Sequence, residues 1–190
     1  MEAALSLAAG LALAAATGLR VFAPLLVLSL AARAGWIPVA PEFEWIASTP
    51  ATIAFGTATV AEVIAYYVPF LDNVLDWLAA PVAITAGAVA AASLLTDLPP
   101  WVRYSVGLVG GGGVAGLVHS STALVRLKSS ATTLGHGNFI FATVELAAAL
   151  VVSVVSLLFP ILAVLSVAAL IVTLWIVARR SARRRHAALS

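Results

Sequence analysis

Residues 14–27 read AAATGLRVFAPLLV, in the middle of an apolar run that extends over residues 3–35. As one straight helix its 33 residues would be about 50 Å long, against a hydrocarbon thickness of about 30 Å. The run must therefore tilt steeply or break. Gly18 and Pro24 mark the expected break, since glycine tolerates unusual dihedrals and proline removes an amide donor. Between them stands Arg20, a permanent charge. A charge near the middle of a membrane helix costs about 2.5–3.5 kcal/mol on insertion scales, and such groups face a protein interior or a wet cavity. Backbone left unpaired at that depth has the same requirement. The stretch thus predicts a discontinuous helix with a polar, protein-lined place beside it.

The rest of the chain fits that reading. Of 190 residues 63% are hydrophobic and 9% charged, with a mean hydropathy of +1.11; soluble domains are about 45–50% apolar and about 25% charged. The composition predicts an all-α integral membrane protein. Punctuation divides it into about six spans: 3–35, 51–68, 81–95, 102–125, 139–159 and 161–177. Between the second and third, FLDNVLDWLA (70–79) separates apolar from acidic faces and predicts a short interfacial helix. Residues 1–178 form one polytopic domain, and 179–190 a basic tail. Glu2 follows Met1, so the cationic leader of a secretory signal is missing and the N-terminus is expected to be retained.

Charge sets the orientation. Arg126, Lys128 and the five arginines of ARRSARRRH (178–186) would lie inside, and only Arg33 and Arg103 outside. This predicts a multi-pass protein of the inner (plasma) membrane with both termini cytoplasmic. Trp36, Trp45 and Trp101 would then mark the outer interface. The tail suits anionic lipid, and without an aromatic-studded basic surface nucleic acid is not an expected partner. Membrane lipids and an anionic or lipid-linked substrate are. A homo-oligomer stays open.

The fourth span repeats the oddity of the first, with VGGGGVAG (109–116) preceding HSSTALVR (119–126). Each of these spans is followed by a helix carrying one glutamate, in ATVAE (58–62) and ATVE (142–145). Three crossings per half would invert the second half, so 1–98 and 99–178 are candidate inverted repeats, with the first and fourth spans discontinuous or re-entrant.

These features nominate the candidate site. Arg20, with forked donors suited to carboxylate or phosphate oxygens, would bind an anion together with Gly18 at the helix break; the alternative is an ion pair with Glu62 or Glu145. Both glutamates would sit about 10 Å inside one face and share a polar site, either exchanging protons or fixing the packing. His119 lies on a stripe with Gly112, Gly116, Ala123 and Arg126, where glycines signal close helix contact. His119, Arg126 and Asn138 complete the candidate substrate contacts, although Arg126 also reads as a flanking charge and His119 as an interhelical hydrogen bond. Asp72 and Asp76 share a helix face and could hold a divalent cation through oxygen ligands. No resident cofactor is expected, and the absence of cysteine removes thiolate chemistry.

TGLRVFAPLL (17–26), EFEWIAS (42–48), VPFLDNVLD (68–76), GGGVAG (111–116) and TLGHGNF (133–139) with Glu145 occur in an order that resembles a family of bacterial membrane proteins, domain of unknown function 4126. Asn138 corresponds to an Asn-Pro of many relatives, with Phe139 in the proline's place. The resemblance implies architecture and a choice of residues, not an activity. Three function classes follow from the residues. One is a carrier of an anionic, lipid-linked phosphate among others, with Arg20 and Arg126 on the anion and Glu62 and Glu145 coupling protons. Another is a scaffold whose buried ion pairs only fix helix register. The third is a Mg²⁺-dependent lipid-diphosphate transferase, which would need a second acid-rich motif that the sequence lacks; HExxH and G-x-S signatures are absent too.

Overall fold

The computed structural model describes residues 2–67, 71–133 and 138–163 with Leu165 and Ala169. The described residues are helical, without a strand: α1 (Glu2–Leu19), α2 (Phe22–Arg33), a 3-10 segment (Pro41–Ala47), α3 (Thr49–Tyr66), α4 (Leu71–Leu94), α5 (Pro100–Val106), a π-helical segment (Gly107–Gly112), α6 (Gly113–Thr133) and α7 (Asn138–Leu158). The sixth predicted span and the arginine tail fall almost wholly outside the described residues.

The alanine-rich α1 is the axis. Ala12, Leu13, Ala14 and Ala16 are fully buried, and α4, α6 and α7 pack around the helix. Small side chains let backbones approach, which matters where hydrocarbon surroundings give apolar groups little reason to hide from solvent. The tightest approach joins α4 to the glycine run. A Cβ on Gly111 would lie 2.5 Å from both Ala91 Cβ and Gly87 O, and one on Gly107 would lie 2.7 Å from Ala92 Cβ. The expected contact glycines, Gly112 and Gly116, also lie tight against α4: a Cβ on Gly112 would be 3.2 Å from both Ile84 Cγ2 and Ile84 O, and one on Gly116 3.1 Å from Ile84 Cγ1. The backbone comes closest at Gly107 and Gly111.

Two elements differ from the sequence reading. The fourth span is widened rather than broken: the helix runs on from α5 to α6 through the π-helical turn. The interfacial helix is no separate element, since α4 continues through Pro81 to Leu94.

Within the described residues, Pro100–Arg126 and Ile140–Leu158 are long and apolar enough to cross a membrane, and Ala3–Leu19, Phe22–Arg33 and Leu78–Leu94 are shorter apolar helices. Large apolar side chains remain exposed on α3 (Ile53, Val60, Ile64) and α7 (Val144, Val151, Val154). Contiguous faces of this kind are rare on soluble monomers and are compatible with a membrane protein.

One end is closed by polar staples. Arg103, buried, donates from Nε to Leu95 O (2.9 Å) and from Nη2 to Thr96 O (3.1 Å) and Leu98 O (2.8 Å). Its Nη1 pairs with Glu42 of the 3-10 segment. Ser29 Oγ reaches Ile46 O at 2.7 Å, and Ala40 N donates to Ser93 O at 2.8 Å. Trp36, Trp45 and Trp101 are exposed on segments of this same end.

Candidate functional site

The break falls at Arg20–Val21, between the two residues that predicted it. Arg20 N still donates to Ala16 O at 3.0 Å. Pro24 lies four residues after Arg20, so no amide can return to the Arg20 carbonyl, and the proline ring disfavours continuation past it. The new helix, α2, then starts with its own unpaired amides. Two of them have a specific partner. Val21 N donates to Glu62 Oε1 (2.8 Å) and Phe22 N to Glu62 Oε2 (3.1 Å). A carboxylate from α3 thus caps α2, with charge-assisted hydrogen bonds and a favourable helix dipole.

Arg20 turns to other elements. Its side chain is 2% exposed; Nη2 donates to Ala142 O of α7 at 2.9 Å and lies 3.5 Å from Glu145 Oε2. On the far side of Glu145, Arg126 Nε stands 3.4 Å from Oε1, and Arg126 is 1% exposed. The Tyr66 ring lies against both guanidiniums, with Arg20 Cζ at 3.8 Å and Arg126 Cζ at 4.7 Å from its centroid. Cation–π attraction in desolvated surroundings reaches about 2 kcal/mol per pair, so Tyr66 helps two like charges share one place. Next to it Tyr67 Oη meets Thr143 Oγ1 at 2.7 Å, tying the end of α3 to α7.

The cluster therefore holds two arginines and two glutamates, formally neutral when all are ionised, drawn from the α1–α2 break, α3, α6 and α7. Donors outnumber acceptors. Two guanidiniums bring ten N–H groups between them. Among the described residues, Arg20 Nε and Nη1 are buried without a hydrogen-bond acceptor.

A groove of about 360 Å³ leads to the cluster between α3 and α4. Its walls are Phe22, Ala58, Ala65, Ala79 and Val82, with Glu62 and Tyr66 among its lining residues. Glu62 is partly exposed there, whereas Glu145 is buried.

Arg20, Glu62, Arg126 and Glu145 come together. Gly18 serves a different contact: a Cβ there would lie 2.5 Å from Ala115 O, so it sits in the α1–α6 packing. His119 is buried on α6. Asn138 opens α7, and Asp72 and Asp76 lie on the first turns of α4, but these three side chains lie outside the described residues. Arg126 is no flanking charge, because it is buried within the bundle. Tyr66 was not among the expected residues. Its position four after Glu62, on the same face of α3, was the available signal.

The family described as Domain of unknown function (DUF4126) matches residues 7–180, and the chain belongs to it. No curated protein and no solved structure matches the chain.

Proposed function

We propose that this member of the DUF4126 family is a polytopic membrane carrier of an anionic substrate, with about six crossings and both termini cytoplasmic. Arg20 and Arg126 hold the anion. Proton exchange falls to the glutamates, Glu62 and Glu145, of which one suffices. The observation that carries the reading is the convergence of two buried guanidiniums at a helix break, where Arg20 Nε and Nη1 lack an acceptor among the described residues. A charge is expensive inside a membrane protein, and buried ionisable groups there mark substrate or ion sites by default.

The depth supports it. Arg20 precedes Arg33, near the stapled tryptophan end, by 13 residues, about 20 Å of helix. If that end marks one interface, the cluster lies about 10 Å inside the other, in a hydrocarbon layer about 30 Å thick. The paired arginine and glutamate positions, Arg20 with Glu62 and Arg126 with Glu145, are those expected of two inverted halves.

Charge balance favours a second reading, in which the cluster is a scaffold and its ion pairs only set helix register. The exchange Arg20→Glu with Glu145→Arg separates the two. A scaffold keeps the wild-type unfolding midpoint and the wild-type effect in cells. A carrier keeps much of the stability and loses anion binding, because the guanidinium no longer stands at the break.

A further inference from the structure

The carrier reading leaves the substrate and the separate jobs of the two glutamates open. We infer that Glu62 is an internal stand-in for the substrate's oxyanion, and that the substrate is a phosphate monoester on a hydrocarbon chain, which enters along the α3–α4 groove and displaces it. The inference rests on the carrier reading and deepens it.

Three observations meet at Glu62. Both its carboxylate oxygens are held by the Val21 and Phe22 amides, so a bound oxyanion already occupies the start of α2, a place suited to phosphate. Arg20 Nε and Nη1, in the residue before those amides, are buried and lack an acceptor among the described residues. Two amides and the two free Arg20 groups offer more donors than one carboxylate satisfies. A phosphate monoester has three terminal oxygens and matches them better. Thirdly, the groove that reaches Glu62 has small, apolar walls and opens beside Leu78 and Val82, both exposed. Such a passage suits a hydrocarbon chain, and a free, fully hydrated phosphate would gain nothing from it.

Charge arithmetic then assigns the proton. The groups around Glu62 are Arg20 at the break, Tyr66 on α3, Arg126 on α6 and Glu145 on α7; the groove wall on α4 supplies Leu78, Ala79 and Val82. With all four charges present the cluster is neutral, so each negative charge admitted to this poorly screened place must be offset by a proton. A protonated Glu62 leaves the amides with one acceptor fewer and can withdraw. Glu145, buried between the arginines, stays as their permanent counter-charge.

The test is a titration of the detergent-solubilised full chain with phosphatidic acid between pH 6 and pH 9, read by native mass spectrometry. Phosphatidylcholine and inorganic phosphate are the comparison probes. Wild type should bind phosphatidic acid, more weakly as pH rises, by about tenfold per unit beyond any slope shared with Glu62→Gln, as uptake of one proton on binding requires. Glu62→Gln should bind at least tenfold more tightly than wild type at the upper pH. Ala58→Phe, which fills the groove and leaves the cluster intact, should lose phosphatidic acid. Wild-type pH dependence retained in Glu62→Gln overturns the stand-in role; if Arg20→Ala still abolishes binding, the carrier reading survives that result. Displacement of the lipid by equimolar inorganic phosphate, or unchanged binding in Ala58→Phe, overturns the hydrocarbon-chain assignment. Binding of no anion by any form overturns this inference and the carrier reading together.

Discussion

Arg20 and Arg103 are both buried arginines, and they differ in how their donors are used. Arg103 spends its donors on three backbone carbonyls and Glu42, closing the loops at one end. Arg103→Ala should cost about 2–4 kcal/mol of stability, seen as a lower unfolding midpoint in detergent, and leave anion binding by the folded fraction unchanged. Arg20 has one backbone acceptor, a loose ion pair and an aromatic face. There the expected loss is of ligand. Tyr66 gives a graded check: Tyr66→Phe keeps the face on which the guanidiniums lie and should be more stable than Tyr66→Leu by about 1–2 kcal/mol in denaturant titration. Equal stability would mean that the ring does not hold the two cations. Arg20, Glu62 and Glu145 were legible in the sequence because a lone charge in an apolar run stands out. Arg126 and Tyr66 were harder to read, since a cation or an aromatic at a helix end is also the ordinary mark of a membrane interface.

The break in the first span and the close packing of the glycine run were legible for a related reason, because proline and glycine act through the backbone itself. Pro24 fixed where the chain must part from the helix, to within a few residues. Gly112 and Gly116 were read as contact glycines and do lie against α4; that Gly107 and Gly111 lie closer still was not legible, because spacing alone does not say which stripe comes nearest a neighbour. The structure makes the difference testable. Gly111→Val forces a side chain against the α4 backbone and should destabilise by about 1–3 kcal/mol or prevent folding. Gly113→Ala meets no atom within 4 Å and should be neutral or stabilise by up to about 1 kcal/mol, since alanine is the better helix former. Comparable losses at both positions in a thermal-stability assay would contradict the packing register. Pro81 misled the reading of α4. It lies 10 residues into a helix that continues past it, and the amphipathic first turns resembled an independent surface helix.

At the scale of the whole molecule, composition decided the all-helical class, and charge bias supplied an orientation that the chain itself makes easy to test. It has no cysteine, so single cysteines can be introduced without a background. Cysteines at Glu44 and Asp97, both exposed, should react from outside with a membrane-impermeant maleimide. One at His186 should react only after permeabilisation. Labelling of all three from one side would overturn the proposed topology. The sequence put Glu62 and Glu145 at one depth and offered either as a partner for Arg20; what it could not supply is the full convergence, since Arg126 on α6 and Glu145 on α7 reach Arg20 through packing around α1, and Glu62 reaches it through the packing of α3 on α2. The most direct test of the claim that they form an anion site is native mass spectrometry of the protein extracted in mild detergent, wild type beside Arg20→Ala. A discrete anionic mass on wild type, lost in the variant while the variant stays folded, is the predicted result. Two proteins that fly equally bare, or that carry the same mixture of lipids, would contradict the claim and leave the cluster as an ion-paired brace within the bundle.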